Sequence, residues 1–440
     1  MHTAQLPLRR RFFRLAVPNI ISNVTVPLVG LVDTAMLGHL PDISFLAGVA
    51  LGAVIFDYAY WSFGFLRMGT TGVTAQAVGR DDTSEIWQIL YRALVLALLI
   101  AAVLLLAQRL IAALGFAVLA GHGAVEAAGR DYFFARIWGA PATLSNYVLL
   151  GWFLGRERAR EALLMTLVGN LANVGLDYLF IMRLGMAAGG AGLATALSQY
   201  LMLATAVVLV LRAGHVVAPV REQVLDRARI VGLVRLNRDI LVRTMVLMTT
   251  FAISTNFSAL LGTGILAANT ILFRLQMVAS YLIDGAAFAT ESLAGIYKGS
   301  GDTKGLRHLL RLAMFTGVAF AVPVLGAMFL IPGPLYGLMT SHQDVAGIAW
   351  RYSGWMIPVL LFGAVAFIYD GLFIGLTEGK VLRDQMMISA IVCYLPLALL
   401  ALWQRNNDLL WAAMALFMVG RCLTLWLAQR RVLAAMERVA

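Results

Sequence analysis

The sequence predicts an all-α integral membrane protein of twelve transmembrane helices in two pseudo-symmetric six-helix lobes. Three observations carry that prediction: the composition, the recurrence of long apolar runs, and an internal repeat at half the chain length. Of the 440 residues 61% are hydrophobic and only 13% charged, and the mean hydropathy is +0.83, far above that of a soluble domain.

Apolar stretches of about 20 residues recur along the chain, each long enough to cross a hydrocarbon core of roughly 30 Å as a helix. They fall at 12–38, 44–72, 86–112, 122–150, 160–184, 188–211, 239–262, 265–295, 307–331, 345–374, 383–403 and 408–429. Strands of a membrane barrel would be short and alternate in polarity. Residues 94–106 (LVLALLIAAVLLL) are instead apolar on every side. The first span follows a polar, basic stretch and is too long for the core of a cleaved leader, so it is expected to stay. Cys393 and Cys422 lie in different spans, as packing residues rather than a disulfide framework.

The net charge of +11 does not point to nucleic acid, because the basic residues stand between spans in small groups. Their distribution sets orientation. With the N-terminus in the cytoplasm, 25 of the 34 Lys and Arg residues fall on the cytoplasmic side, as the positive-inside rule requires for two cytoplasmic termini. The expected location is the cell (inner) membrane. Residues 155–161 (GRERARE) and the basic stretch around 212–243 are the strongest anchors. The division is therefore 1–212 as N-lobe, 213–237 as cytoplasmic interlobe linker, and 238–440 as C-lobe.

Shifting the chain by 220 residues aligns two separate blocks without gaps. One pairs Leu46-Ala47 with Leu266-Ala267, Thr70 with Thr290, and Gly79, Asp82 and Thr83 with Gly299, Asp302 and Thr303. The other pairs Tyr132 with Tyr352, and residues 151–155 (GWFLG) with 371–375 (GLFIG). Six spans per repeat keep both halves in the same orientation, related by an axis along the membrane normal, the arrangement of transporters that rock about a central site.

An ionisable residue at the bilayer centre costs at least about 2.5 kcal/mol and asks for a partner or a task. Asn170, Asn173 and Asp177 in the fifth span follow an i, i+3, i+7 pattern and share one helix face. Asp33 lies deep in the first span, and Thr195 and Gln199 form an i, i+4 pair in the sixth. Two carboxylates brought together in an apolar setting repel unless one takes a proton, so Asp33 and Asp177 are a candidate proton switch. Asn173 and Thr195 would add oxygens, making Na⁺ the alternative ion at the same four residues. Asn170 and Gln199 serve equally well as interhelical hydrogen-bonding glue.

In the second half Asp284 and Glu291 share a face of the eighth span and Asp370 lies in the tenth; they are candidates for a second polar cavity wall. Arg67 and Arg274 are candidate ion-pair partners for them, and Asp57 admits either role. Pro18 and Pro27 in the first span each remove a backbone hydrogen bond, which makes that helix the hinge candidate.

No phosphate-binding loop is present: residues 375–380 (GLTEGK) have the wrong spacing, and no soluble domain carries one. The histidines at 2, 39, 122, 215, 308 and 342 show no metal-ligand spacing. No cofactor, catalytic constellation or enzyme activity is expected; membrane lipids are the surroundings and a monomer is expected.

Residues 28–38 (LVGLVDTAMLG), 65–79 (FLRMGTTGVTAQAVG), 168–177 (VGNLANVGLD), 281–291 (YLIDGAAFATE) and 369–375 (YDGLFIG) resemble the multidrug and toxic compound extrusion (MATE) family, in its DinF-like branch. The resemblance covers nearly the whole chain. It implies a V-shaped bundle of six plus six helices that exports drugs or toxic organic cations, or amphipathic compounds, in exchange for H⁺ or Na⁺. It also implies that Asp33, Asn173, Asp177 and Thr195 form the cation site of the N-lobe. Tyr132, Arg67 and the second-half carboxylates are accessory polar positions. The NorM-like branch has a Glu in the seventh helix, whereas the span here offers only Asp239 at its edge, which argues against a sodium site in the C-lobe. Distant relatives of this fold that move lipid-linked precursors supply the alternative of a flippase.

Overall fold

The computed structural model describes residues 6–119, 123–212, 216–224 and 226–439. Positions 2, 122 and 215, where three of the histidines stand, lie outside them, as do linker positions 213–215 and 225.

Every regular element among the described residues is helical. The first half runs through α1 (Leu8–Gly38), α2 (Ser44–Ser62), α3 (Phe65–Gly79), α4 (Thr83–Val118), α5 (Ala124–Arg136), α6 (Ala140–Gly155), α7 (Ala159–Asp177) and α8 (Ala187–Arg212). After the short α9 (Arg221–Val224), the second half comprises α10 (Arg227–Leu261), α11 (Thr263–Ser300), α12 (Thr303–Leu330), α13 (Pro332–Met339), α14 (Gln343–Tyr352), α15 (Met356–Gly375), α16 (Gly379–Ile388), α17 (Leu395–Trp403) and α18 (Asn407–Val439). Single 3₁₀ turns join α5 to α6 and α14 to α15, and π-helical turns follow α7 and α16.

Eleven helical stretches among the described residues are long and apolar enough to cross a membrane. The twelfth expected span forms α5 and α6, with Glu126, Arg130, Asp131 and Arg136 on α5 lowering its hydropathy. The chain is thus a multi-pass membrane protein.

The linker is more ordered than its polarity suggests. Asp226 accepts from the backbone N–H groups of Ala228 and Arg229 and starts α10 at Arg227, well before the expected Asp239. Ile230, Leu233 and Val234 give that segment an apolar stripe at helical spacing between its basic residues. Tyr91 of α4 donates to the carbonyl of Val217 at 2.8 Å, and Glu85 pairs with both Arg92 and Arg229.

By packing, the chain divides into two compact units. One runs from Ile21 to Leu233; the other consists of the residues up to Ile20 and those from Val234 onward. The first part of α1 therefore packs in the second unit, where Ile20 and the carbonyl of Ala16 lie against Gly285 of α11. α1 itself runs unbroken through Pro18 and Pro27.

The 220-residue repeat holds in the geometry of both units. α4 and α12 start at Thr83 and Thr303, α7 and α16 at Ala159 and Gly379, and α8 and α18 at Ala187 and Asn407. Left-handed backbone occurs at Asp81 and Gly301, at Glu157 and Thr377, and at Gly185 and Arg405. A Cβ at Gly151 would meet the carbonyl of Arg67, and one at Gly371 the carbonyl of Ala287, two matched close approaches that only glycine permits. The repeat is thus one folding unit used twice.

Candidate functional site

The polar side chains of the Ile21–Leu233 unit converge where α1, α7 and α8 approach. Asn173 and Asp177 stand one turn apart on α7 and face the same way. The Asn173 amide nitrogen donates to Asp177 Oδ2 and lies 3.3 Å from Asp33 Oδ1 on α1, so one amide bridges the two carboxyl groups. The carboxyl groups of Asp33 and Asp177 are also within interacting distance of each other. Asp177 is fully buried, its Oδ1 has no hydrogen-bond partner among the described residues, and Asp33 is half-buried. The π-helical turn Tyr178–Arg183 begins immediately after Asp177. Such turns are frequent at functional sites.

The orientation of the Asn173 amide follows from its neighbours. Two carboxyl groups need a donor between them, and on the other side Ser198 Oγ of α8 donates to Asn173 Oδ1 at 3.2 Å. One turn nearer the α7 start, Asn170 donates to Thr25 Oγ1 on α1 at 2.9 Å. α1 and α7 are thus pinned at two levels, with the carboxyl pair at one of them.

Thr195 is in the right helix, but its hydroxyl donates to the carbonyl of Ala191 at 2.9 Å, within its own helix. Ser198, three residues on, makes the contact with Asn173. Gln199 accepts from Asn146 of α6 at 3.0 Å and so ties α6 to α8. Tyr132 is buried on α5, where its hydroxyl accepts from Arg136 Nη1 at 2.5 Å. The Arg136 guanidinium lies 4.5 Å from the ring centre of Phe56 and 5.8 Å from that of Tyr60. Arg136 and Ser198 belong to this neighbourhood without having stood out in the sequence. Their signal was spacing alone: Arg136 follows Tyr132 by one turn, and Ser198 follows Thr195 by nearly one.

In the second unit Asp370 is held in a buried ion pair, and the structure corrects the expectation for its partners, which are neither Arg67 nor Arg274. Its Oδ2 accepts from Arg421 at 2.6 Å and from Arg243 as well, and all three side chains are buried. Arg421 also stacks between Phe367 and Phe417, with 5.2 and 5.6 Å to their ring centres. Two guanidinium groups on one carboxylate exclude a further cation there. Arg243 escaped notice because it stands near the basic start of the expected span 239–262 and reads as a cytoplasmic anchor, whereas α10, which begins at Arg227, carries it into the packed interior. Asp284 is half-buried and Glu291 buried on α11; Arg67 is half-buried on α3 and Arg274 exposed.

Comparison with known proteins places this architecture. A family model described as MatE matches residues 18–179 and 240–402, one match in each half. DNA damage-inducible protein F of Escherichia coli (strain K12) is 35% identical over 425 residues, covering 96% of this chain and 92% of that protein. The multidrug resistance protein NorM of Vibrio cholerae is 26% identical over 363 residues, covering 80% of this chain and 77% of its own. Among solved structures, the outward-facing conformation of a multidrug resistance MATE family transporter superposes with a TM-score of 0.89 at 19% identity, covering 99% of this chain and 98% of that one. Helix for helix and half for half, the chain belongs to the MATE family.

Proposed function

We propose that the protein is a secondary active exporter of cationic or amphipathic small molecules, driven by proton exchange at Asp33 and Asp177 in the cell (inner) membrane with both termini cytoplasmic. The observation that carries this reading is the Asn173 amide standing between two carboxyl groups on neighbouring membrane helices. With both carboxyls ionised, the pair repels across a short gap in a low-dielectric setting; with one proton it is stable. Proton uptake and release thereby change the attraction between α1 and α7. α1 contains Pro18 and Pro27, so its first and last parts are less rigidly coupled than in an unbroken hydrogen-bonded helix. A loss of attraction at Asp33 is translated into bending of α1 and alternating access. Relatives named as multidrug resistance proteins support a small-molecule cargo.

Sodium is the second ion to weigh at Asp33, Asn173, Asp177 and Thr195. The Asn173 amide presents its N–H to the carboxyls, and its carbonyl oxygen already faces the Ser198 hydroxyl. That leaves fewer free oxygens than a hard cation favours, and supports the proton. One proton moving down a 100 mV potential supplies about 2.3 kcal/mol.

The test is transport of a lipophilic cation dye in liposomes under an imposed pH gradient, an imposed Na⁺ gradient, or neither. Export is expected with the pH gradient alone, and both Asp33→Asn and Asp177→Asn should abolish it. Export by Asp33→Asn at the wild-type rate would refute the mechanism, and dependence on Na⁺ would assign the cluster to a metal ion. Absence of dye export, with translocation of a lipid-linked anion instead, would replace the exporter with a flippase.

A further inference from the structure

We propose that Arg136 is a specificity residue that receives an acidic group on the exported molecule, so that the site prefers amphipathic zwitterions carrying a carboxylate over their purely cationic esters. This inference rests on the export reading above and names a substrate class for it.

Arg136 sits at the end of α5 and is half-buried. A guanidinium carries five N–H donors. Among the described residues, one of them has a hydrogen-bond acceptor, the hydroxyl of Tyr132, and the buried Nε has none. Phe56, Tyr60 and Tyr132 present ring faces to the cation, with ring centres 4.5, 5.8 and 5.5 Å away. These contacts hold the charge and leave N–H groups unspent.

No carboxylate among the described residues makes an ion pair with Arg136, although two stand close enough to feel it, Asp33 and Asp57. Asp57 is exposed on α2, an otherwise apolar membrane helix, where a carboxylate is tolerated only against a water-lined space. Arg136 and Asp57 thus interact electrostatically from membrane-spanning helices without forming a direct ion pair. Arg243 and Arg421, by contrast, both bind Asp370 directly. A ligand with an ammonium and a carboxylate satisfies both charges, its anion on the free donors of Arg136 and its cation toward Asp57 and Asp33. Arginine is suited to this because its planar fork matches a carboxylate.

The experiment uses a matched pair of probes: a rhodamine with a free carboxyl and its methyl ester. Binding to wild type, Arg136→Lys and Arg136→Gln in detergent is read by fluorescence polarisation, and export is read separately in liposomes. Wild type should bind both probes. Arg136→Gln should weaken the free acid about tenfold, as for loss of one charge-assisted hydrogen bond, and leave the ester unchanged. Arg136→Lys should fall between. Retained binding of the ester also shows that the Gln variant is folded. The proposal is overturned if Arg136→Gln affects both probes alike or neither, if wild type fails to bind the free acid, or if the Lys variant restores both after the Gln variant has lost both. Should both probes bind as expected and neither be exported under any gradient, the export reading fails and the Arg136 assignment stands.

Discussion

The two halves share a backbone and differ in how they hold charge. At the 220-residue spacing, Asp33, Asn173, Asp177 and Ser198 correspond to Ile253, Cys393, Leu397 and Met418, so the carboxyl cluster has an apolar counterpart. In the opposite direction, Arg243, Asp370 and Arg421 correspond to Asn23, Leu150 and Leu201. One half keeps carboxyl groups beside each other with an amide between them and, among the described residues, leaves Arg136 without an ion pair. The other buries Asp370 in direct contact with Arg243 and Arg421. A close ion pair in hydrocarbon locks helices together, whereas like charges that need a proton are sensitive to the solution. On the proposed reading, one of the two repeated frames responds to protons and the other holds its helices together.

The sharpest way to break this comparison is to remove one carboxylate from each half. Asp370→Asn leaves two buried guanidinium groups without their anion, and the expected loss is about 3–5 kcal/mol, the range for breaking a buried pair. It should appear as a marked drop in the thermal midpoint of the detergent-solubilised protein. Asp33→Asn should leave that midpoint nearly unchanged or raise it, because it removes a repulsion, while it abolishes coupling. Equal destabilisation by both would mean that the N-terminal cluster is structural as well. Replacing Arg243, Asp370 and Arg421 together by the apolar residues Met, Leu and Leu should recover most of the loss.

This contrast also explains what the sequence made legible. Asp33, Asn173 and Asp177 stand in long apolar runs, where the cost of burying a carboxylate marks them directly. Arg243 carries no such mark, because beside Arg235, Arg238 and Asp239 at the start of the expected span 239–262 it reads as an interfacial anchor, and only Asp226 at the head of α10 shows that the helix has begun well before it. Thr195 and Ser198 are both hydroxyls on α8 that meet a carbonyl of their own helix, and sequence spacing does not reveal that Ser198 is the one that also reaches Asn173. The repeat was readable in two blocks whose matches include Gly79, Asp82 and Thr83, while the paired left-handed turns at Asp81 and Gly301, Glu157 and Thr377, and Gly185 and Arg405 share geometry but not residue type. The sharing of α1 between units at Ile20 does not read as a lobe boundary in the sequence, although Pro18 two residues away marks this helix as the hinge candidate.

A smaller effect sharpens the shared part of the comparison. Gly151→Ala and Gly371→Ala each push a Cβ against a backbone carbonyl, of Arg67 and Ala287, that no rotamer change can relieve. Each should cost about 1–3 kcal/mol, as overpacking does, and by similar amounts if the two frames are equivalent. Thermal midpoints of the two variants measure this; a large loss in one and none in the other would show that the frames have diverged in packing as well as in charge.

The smallest expected difference lies at the helix starts. Asp82 accepts from the Glu85 N–H at 2.9 Å and Asp302 from the Gly305 N–H at 2.7 Å, with nearly the same backbone angles. Loss of either cap by mutation to Ala should cost about 1 kcal/mol. The third residue of α4 is Glu85, however, whose negative charge near the helix start is itself favourable and which Arg92 and Arg229 hold in place. The third residue of α12 is Gly305, which supplies neither charge nor ion pair. Asp302→Ala should therefore loosen its helix more than Asp82→Ala. Hydrogen exchange at residues 303–306 is expected to rise about fivefold, the factor for roughly 1 kcal/mol, and exchange at residues 83–86 by less. If both helix starts open equally, the Glu85 ion pairs add nothing to the start of α4. They would then serve only to dock the head of α10 against it.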